Sequence, residues 1–187
     1  MIILYPTETL YALGVNAFSS EDLTQLFLLK GRDMDKAVSV LVRDVTDIEH
    51  WAYLDDKAKI LANKFLPGPI TLVLRVRDFV PRSLLSPEGT LGFRVSSDMI
   101  AQAIISDFIT KHNSPLTCTS ANLSNKPTLS TPTKILTQLG EKASLITKIY
   151  DDGPRQSLSS TVISVINNEI KILRSGAISN EEILSNF

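Results

Sequence analysis

Short apolar runs alternate with polar, turn-forming stretches along the whole chain, and the spacing within each run sets out its elements. Residues 2–4 (Ile2, Ile3, Leu4) predict a strand, followed by Tyr5-Pro6-Thr7-Glu8-Thr9-Leu10-Tyr11-Ala12-Leu13-Gly14, in which two Tyr, two Thr and one Glu carry hydrogen-bonding groups. Two readings of that stretch stand side by side: polar recognition, or a turn whose hydroxyls satisfy local backbone groups. Ser19 with Asp22 resembles a capping box, and Leu23, Leu26, Phe27 and Lys30 lie along a helical face that should stop at Gly31. The nearly continuous apolar run 37–42 suits a strand covered on both faces, which puts Lys30 and Arg32 on a helix-to-strand loop.

Residues 55–65 predict a second helix, ended by Leu66-Pro67-Gly68-Pro69, and 70–76 the next strand. Residues 79–89 read as a surface loop. The strand 91–95 contains Arg94, and Ser97 or Asp98 caps a helix through Met99, Ile100, Ala103, Ile104, Phe108 and Ile109. Residues 116–119 are strand-like and enter a small-polar loop, 120–128; a short helix at 134–139 ends at Gly140. A strand at 146–150, a polar loop at 156–160, a hairpin of 161–166 and 170–174 turning at Asn167-Asn168, and a last helix capped by Ser179 complete the chain. Strands mixed with helices, without repeat or linker, predict a single α/β domain over 1–187 with a mixed sheet.

Composition narrows the function classes. With 187 residues, 43% hydrophobic and 21% charged, the chain suits one well-buried globular domain. A net charge of -1 argues against wrapping nucleic acid by charge alone, and leaves room for a local basic pocket. The single cysteine, Cys118, excludes an intramolecular disulfide, and His50 and His112 stand too far apart in sequence to suggest a zinc cluster. No run reaches the roughly 18 apolar residues of a membrane span and no basic leader opens the chain, so a cytoplasmic protein is expected.

The polar surprises are the turn from Pro6 to Thr9, Lys30 with Arg32, Arg94, Ser120 with Asn122, Ser160 with Thr161, and Arg174, each near the end of a predicted strand. Ligands of open α/β sheets collect at strand ends, so these loops are candidates to form one pocket. Four permanent cations with hydroxyl and amide donors describe a site for a polyanion, most simply a nucleoside triphosphate. Each group also has a structural reading: cations at a helix C-terminus, an Arg paired with a carboxylate, a Ser/Asx turn. Neither G-x-x-x-x-G-K-[ST] nor G-x-G-x-x-G occurs. Cys118 reads better as a buried strand residue than as a nucleophile, and Asp151-Asp152 better as a turn than as a magnesium site.

The order of the motifs carries further. Pro6-Thr7-Glu8-Thr9-x-Tyr11-x-Leu13-Gly14, Lys30-Gly31-Arg32, Pro67-Gly68-Pro69-x-Thr71, Gly89-Thr90-x-Gly92-x-Arg94, Thr119-Ser120-Ala121-Asn122, Ser160-Thr161-Val162 and Arg174-x-Gly176 resemble the YrdC-like family of threonylcarbamoyl-AMP synthases, over nearly the whole chain. The resemblance implies a twisted α/β domain around a concave, positively charged cavity. It also implies a reaction in which the carbamate of L-threonine, made with bicarbonate, attacks the α-phosphate of ATP to give threonylcarbamoyl-AMP and pyrophosphate. Magnesium would arrive with ATP, and a partner complex would pass the group to a tRNA adenosine, with a tRNA contact possible in this chain.

By the same resemblance, Lys30, Arg32, Ser120 and Asn122 handle the nucleotide, Lys30 and Arg32 as the catalytic pair. Ser160 and Arg174 add nucleotide contacts, and Thr7, Thr9, Tyr11 and Arg94 face threonine and its carbamate. The chain departs from the family at Ala12 (usually Gly), Asp33 and Ser96 (often Pro) and Asn125 (often Gly). A non-catalytic RNA-binding module and a paralogue with another substrate stay open as alternatives.

Overall fold

The computed structural model describes residues 1–31 and 38–187. In chain order the elements are β1 (Ile2–Tyr5), β2 (Ala12–Gly14), α1 (Ser20–Lys30), β3 (Val40–Leu41), α2 (Val45–Trp51), α3 (Asp56–Phe65), β4 (Ile70–Arg75), β5 (Thr90–Arg94), α4 (Met99–His112), β6 (Leu116–Thr117), β7 (Thr119–Ser120), α5 (Pro132–Leu139), β8 (Ile146–Ile149), β9 (Thr161–Ile166), β10 (Glu169–Arg174) and α6 (Asn180–Leu184). Single turns of tighter helix cover Arg82–Leu84, and a longer one Gly140–Leu145.

The expected mixed sheet is divided in two. One sheet has the order β7-β2-β1-β8 and the other β10-β9-β4-β5-β3-β6, and each combines parallel with antiparallel neighbours. The opening turn reverses the chain so that β2 pairs back on β1, with Tyr5 opposite Ala12. The sequence reading saw only polar turn here, because three residues of strand inside a hydroxyl-rich stretch give no readable alternation. Close packing makes the glycine that ends β2 obligatory: a Cβ on Gly14 would lie 2.7 Å from the Leu116 side chain.

Caps account for the helix starts. Ser19, Asp44, Asp55, Asp98, Thr131 and Ser179 each accept a backbone N–H of the first turn. Gly31 and Asn113 close α1 and α4 in the left-handed region. The helix α2 was not foreseen; seven residues with one capping Asp are too short a run for periodicity to show. Asn167 and Asn168, both at positive φ, form the two-residue turn between β9 and β10, as their sequence demands.

Alternation along the central strands sorts core from cavity. Ile70, Leu72, Leu74, Leu91 and Phe93 are buried in the apolar core, while Thr71, Val73, Thr90, Gly92 and Arg94 line a cavity. Period 2 places each set on one face.

Candidate functional site

A cavity of about 740 Å³ lies between the two sheets, lined by the opening turn and β2 on one side and by β4, β5, β9 and β10 on the other. Of the candidate residues, Thr7, Thr9, Tyr11, Arg94, Ser120, Ser160 and Arg174 line it. Lys30 and Asn122 stand behind the lining, and Arg32 lies outside the described residues.

Arg94 organises one wall. It is 7% exposed, and from Nη2 it donates to Glu8 Oε1 at 2.7 Å, to Thr9 Oγ1 at 2.5 Å and to Thr7 Oγ1 at 3.4 Å. Ser96 donates its hydroxyl to the other oxygen of Glu8, so the carboxylate is gripped from both sides. Arg94 Nε is buried with no hydrogen-bond partner. Burial works against the charge of Arg94, but the Cys118 thiol and then the Glu8 carboxylate outweigh it and raise its pKa. The Thr7 hydroxyl donates to Leu10 O at 2.6 Å and accepts the N–H of Thr9 and of Leu10. The hydroxyls build the turn, as the structural reading of the opening stretch expects, and the turn also presents them to Arg94.

Tyr11 lines the cavity with its ring, while its hydroxyl points into the turn at 151–153. It donates to Gly153 O at 2.8 Å and accepts the Asp152 N–H at 3.0 Å. Burial raises its pKa, with Asp151 adding to the rise and the Asp152 N–H opposing it. At the far rim Arg174 donates to Ser160 O at 2.8 Å and to Ser160 Oγ at 3.1 Å, and Ser160 shares a hydroxyl contact with Thr71 at 3.0 Å. Desolvation first, and Arg94 second, lower the Arg174 pKa. The chain passes so close here that a Cβ on Gly176 would sit 2.2 Å from Ser159 O.

The third group is a buttress. Lys30, 3% exposed, donates from Nζ to the carbonyls of Ser120 and of Asn122, the latter at 3.0 Å, and its own carbonyl accepts the Ser124 N–H at 2.9 Å. Asn122 accepts from Ser120 Oγ at 2.6 Å and donates to Lys126 O at 2.6 Å. The N–H groups of Ala121 and Asn122 bond to Tyr11 O and Ser120 O and so are already used within the chain.

Sequence reasoning passed over Glu8, Ser96 and Arg155 as site residues. Arg155 ties the segment before β9 to three others: Nε donates to Thr7 O at 3.2 Å, Nη2 to Asp98 Oδ2 at 3.0 Å and to Asp152 Oδ2 at 2.5 Å, and its N–H to Ser130 O at 2.8 Å. Ser96 had a signal, as a polar residue where the family often has Pro. Arg155, alone in a polar loop, had none. Among the described residues no group of three or more His, Cys, Asp or Glu side chains is placed to hold a metal ion, and no helix is long and apolar enough to cross a membrane.

Comparison with known proteins agrees with this arrangement of strands and turns. A threonylcarbamoyl-AMP synthase of Bacillus subtilis is 32% identical over 185 residues, covering 97% of this chain and 51% of that protein. A Methanocaldococcus jannaschii protein provisionally given the same name is 31% identical, covering 95% and 80%. The Pyrococcus abyssi Sua5 structure complexed with L-threonine superposes with a TM-score of 0.86 at 31% identity, over 99% of this chain and 53% of that one. The chain thus spans about half the length of the Bacillus and Pyrococcus relatives. The Sua5/YciO/YrdC family model, described as "Telomere recombination", matches residues 1–176, and the chain belongs to that family.

Proposed function

We propose that this chain is an L-threonylcarbamoyladenylate synthase, a nucleotidyltransferase that joins ATP, L-threonine and bicarbonate into threonylcarbamoyl-AMP and releases pyrophosphate. The observation that carries the reading is the Arg94 wall: a buried guanidinium, compensated by Glu8 yet with Nε lacking an acceptor, lining a cavity of about 740 Å³. A cavity of that size accommodates a nucleotide with an amino acid beside it. Relatives named for this product, and the threonine complex of the Pyrococcus protein, support the same assignment.

Chemistry of this kind needs positioning and charge neutralisation, since the nucleophile is the substrate's own carbamate. Its oxygen attacks the α-phosphorus, the bond to the bridging oxygen breaks, and pyrophosphate leaves. Arg94, with Thr7 and Thr9, takes the carboxylate and carbamate side. Arg174, Ser160 and Ser120 take the nucleotide and Arg32 its phosphate side, with Lys30 and Asn122 shaping the turn that presents Ser120 and Mg2+ arriving on ATP. The product then passes to a partner complex that modifies a tRNA adenosine in the cytoplasm.

The test is mass detection of threonylcarbamoyl-AMP together with pyrophosphate release. Both should require threonine and bicarbonate at once, and Arg32→Ala should lower turnover while the chain stays folded. Pyrophosphate formed equally with serine, or without bicarbonate, would overturn the assignment.

A further inference from the structure

Arg155 lies outside the lining of the cavity, yet its hydrogen bonds lead by two routes to the acceptors of Arg94. The first route is short. Arg155 Nε donates to Thr7 O at 3.2 Å, and the Thr7 hydroxyl accepts from Arg94 Nη2 at 3.4 Å and meets Thr9 Oγ1 at 3.0 Å. The second route runs through the start of α4. Arg155 Nη2 donates to Asp98 Oδ2 at 3.0 Å, while Asp98 Oδ1 caps the helix by accepting the N–H of Ile100 and of Ala101. The Asp98 N–H donates to Ser96 Oγ at 3.2 Å, and the Ser96 hydroxyl donates to Glu8, the carboxylate paired with Arg94. The side chains of Arg155 and Asp98 are 19% and 9% exposed, so salt screens this pair much less than a surface pair. Asp152 accepts from the same guanidinium through its carbonyl and its carboxylate, which brings the turn that seats the Tyr11 hydroxyl into the cluster. A planar guanidinium, with donors in fixed directions, suits several acceptors on different elements at once.

We propose that Arg155 is a positioning residue: it fixes the opening turn against the start of α4 and so sets where Thr7, Thr9 and Glu8 hold the Arg94 guanidinium. For its substrate this inference rests on the synthase reading, in which that wall is the threonine end. Arg155 then governs threonine binding without touching threonine. The nucleotide end does not depend on it. Ser160, further along the same segment, is held by Arg174 and Thr71, and its neighbours bond elsewhere, Ser159 O to the Ala177 N–H and the Thr161 N–H to Pro69 O. Loss of the Arg155 guanidinium therefore loosens one end of the cavity and leaves the other in place.

The test compares steady-state kinetics and hydrogen exchange for the unaltered chain, Arg155→Gln, Asp98→Asn and the double variant. Asn caps a helix as well as Asp does, so Asp98→Asn removes the charge facing Arg155 and keeps α4 capped. Arg155→Gln should raise KM for threonine about tenfold, the effect of losing a hydrogen bond to a charged group, with kcat and KM for ATP nearly unchanged. A variant that merely folded less well would lower kcat and leave both KM values alone. Asp98→Asn should raise KM for threonine less, and the double variant should be no worse than Arg155→Gln, because the two residues act on the wall as one unit. Residue-resolved exchange in Arg155→Gln should quicken about tenfold at the Thr9, Leu10 and Asp98 amides and stay the same along β9. Exchange needs no substrate, so it separates the two claims. An unaltered chain with no threonine-dependent product takes down the synthase reading, and exchange alone then decides whether Arg155 positions the wall. KM for threonine unchanged or rising in step with KM for ATP, effects of the two substitutions that multiply, or unchanged exchange at the opening turn would overturn the proposal.

Discussion

Where β5 meets the opening turn across the cavity, Arg94 keeps a buried N–H without an acceptor, whereas Lys30 and Asn122, behind the β2–β7 side of the lining, bond to the chain's own carbonyls. Both groups are cations or amides next to strand ends, and in the sequence they look equally suited to an anion. The difference lies in what surrounds them. Glu8 offsets the charge of Arg94 without using up its donors, and Nε–H is left without an acceptor. Lys30 gathers two carbonyls of the 120–122 turn and so shapes the surface on which Ser120 is presented. A ligand that used Lys30 directly would exchange for bonds already made.

The largest expected effect comes from breaking the first wall. Arg94→Ala leaves the Glu8 carboxylate, 15% exposed, with Ser96 alone. Removing one partner of a buried ion pair should lower stability by about 3–5 kcal/mol, readable in urea unfolding. Adding Glu8→Gln to Arg94→Met should recover much of that stability but none of the proposed synthase activity. If the single and double variants are equally unstable, the pair is not what holds this wall.

Next comes Lys30→Ala, which leaves the carbonyls of Ser120 and Asn122 without their charged donor. A loss of roughly 1.5–3 kcal/mol is expected, as for hydrogen bonds to a charged group, together with lower activity. Activity lost with stability unchanged would move Lys30 from a buttress to a direct phosphate contact, and so erase the contrast between the walls.

How far this contrast was legible depends on the residue. The helix caps, the Asn167-Asn168 turn and the cavity-facing series Thr90, Gly92, Arg94 follow from local rules and period 2, which act within a few residues. The division into two sheets was not legible, since β2, β3, β6 and β7 have only two or three residues each and their pairing is decided by tertiary contacts. Seven of the candidate site residues line one cavity, because motifs at strand ends carry their own position. What those side chains bond to was beyond sequence. Nothing in Lys30-Gly31-Arg32 says that Lys30 turns inward to the carbonyls 90 residues away.

The smallest expected effect tests the floor beneath both walls, where Tyr5 lies fully buried under the opening turn and donates its hydroxyl to Thr117 O at 2.9 Å. Burial, reinforced by Cys118, raises its pKa well above the ordinary tyrosine value. The folded chain therefore holds this proton more tightly than the unfolded chain. The stability linked to it is fully present below the unfolded pKa of about 10 and is lost as pH rises beyond that value. Tyr11, whose pKa burial also raises, adds to the same alkaline loss. Tyr5→Phe should lower stability at neutral pH by about 0.5–1.5 kcal/mol, one neutral hydrogen bond, and should make the decline above pH of about 10 shallower. Unfolding curves for both chains between neutral and alkaline pH decide it. An alkaline limb as steep in the variant as in the unaltered chain would mean that the floor carries no such proton, and that the two walls stand on packing alone.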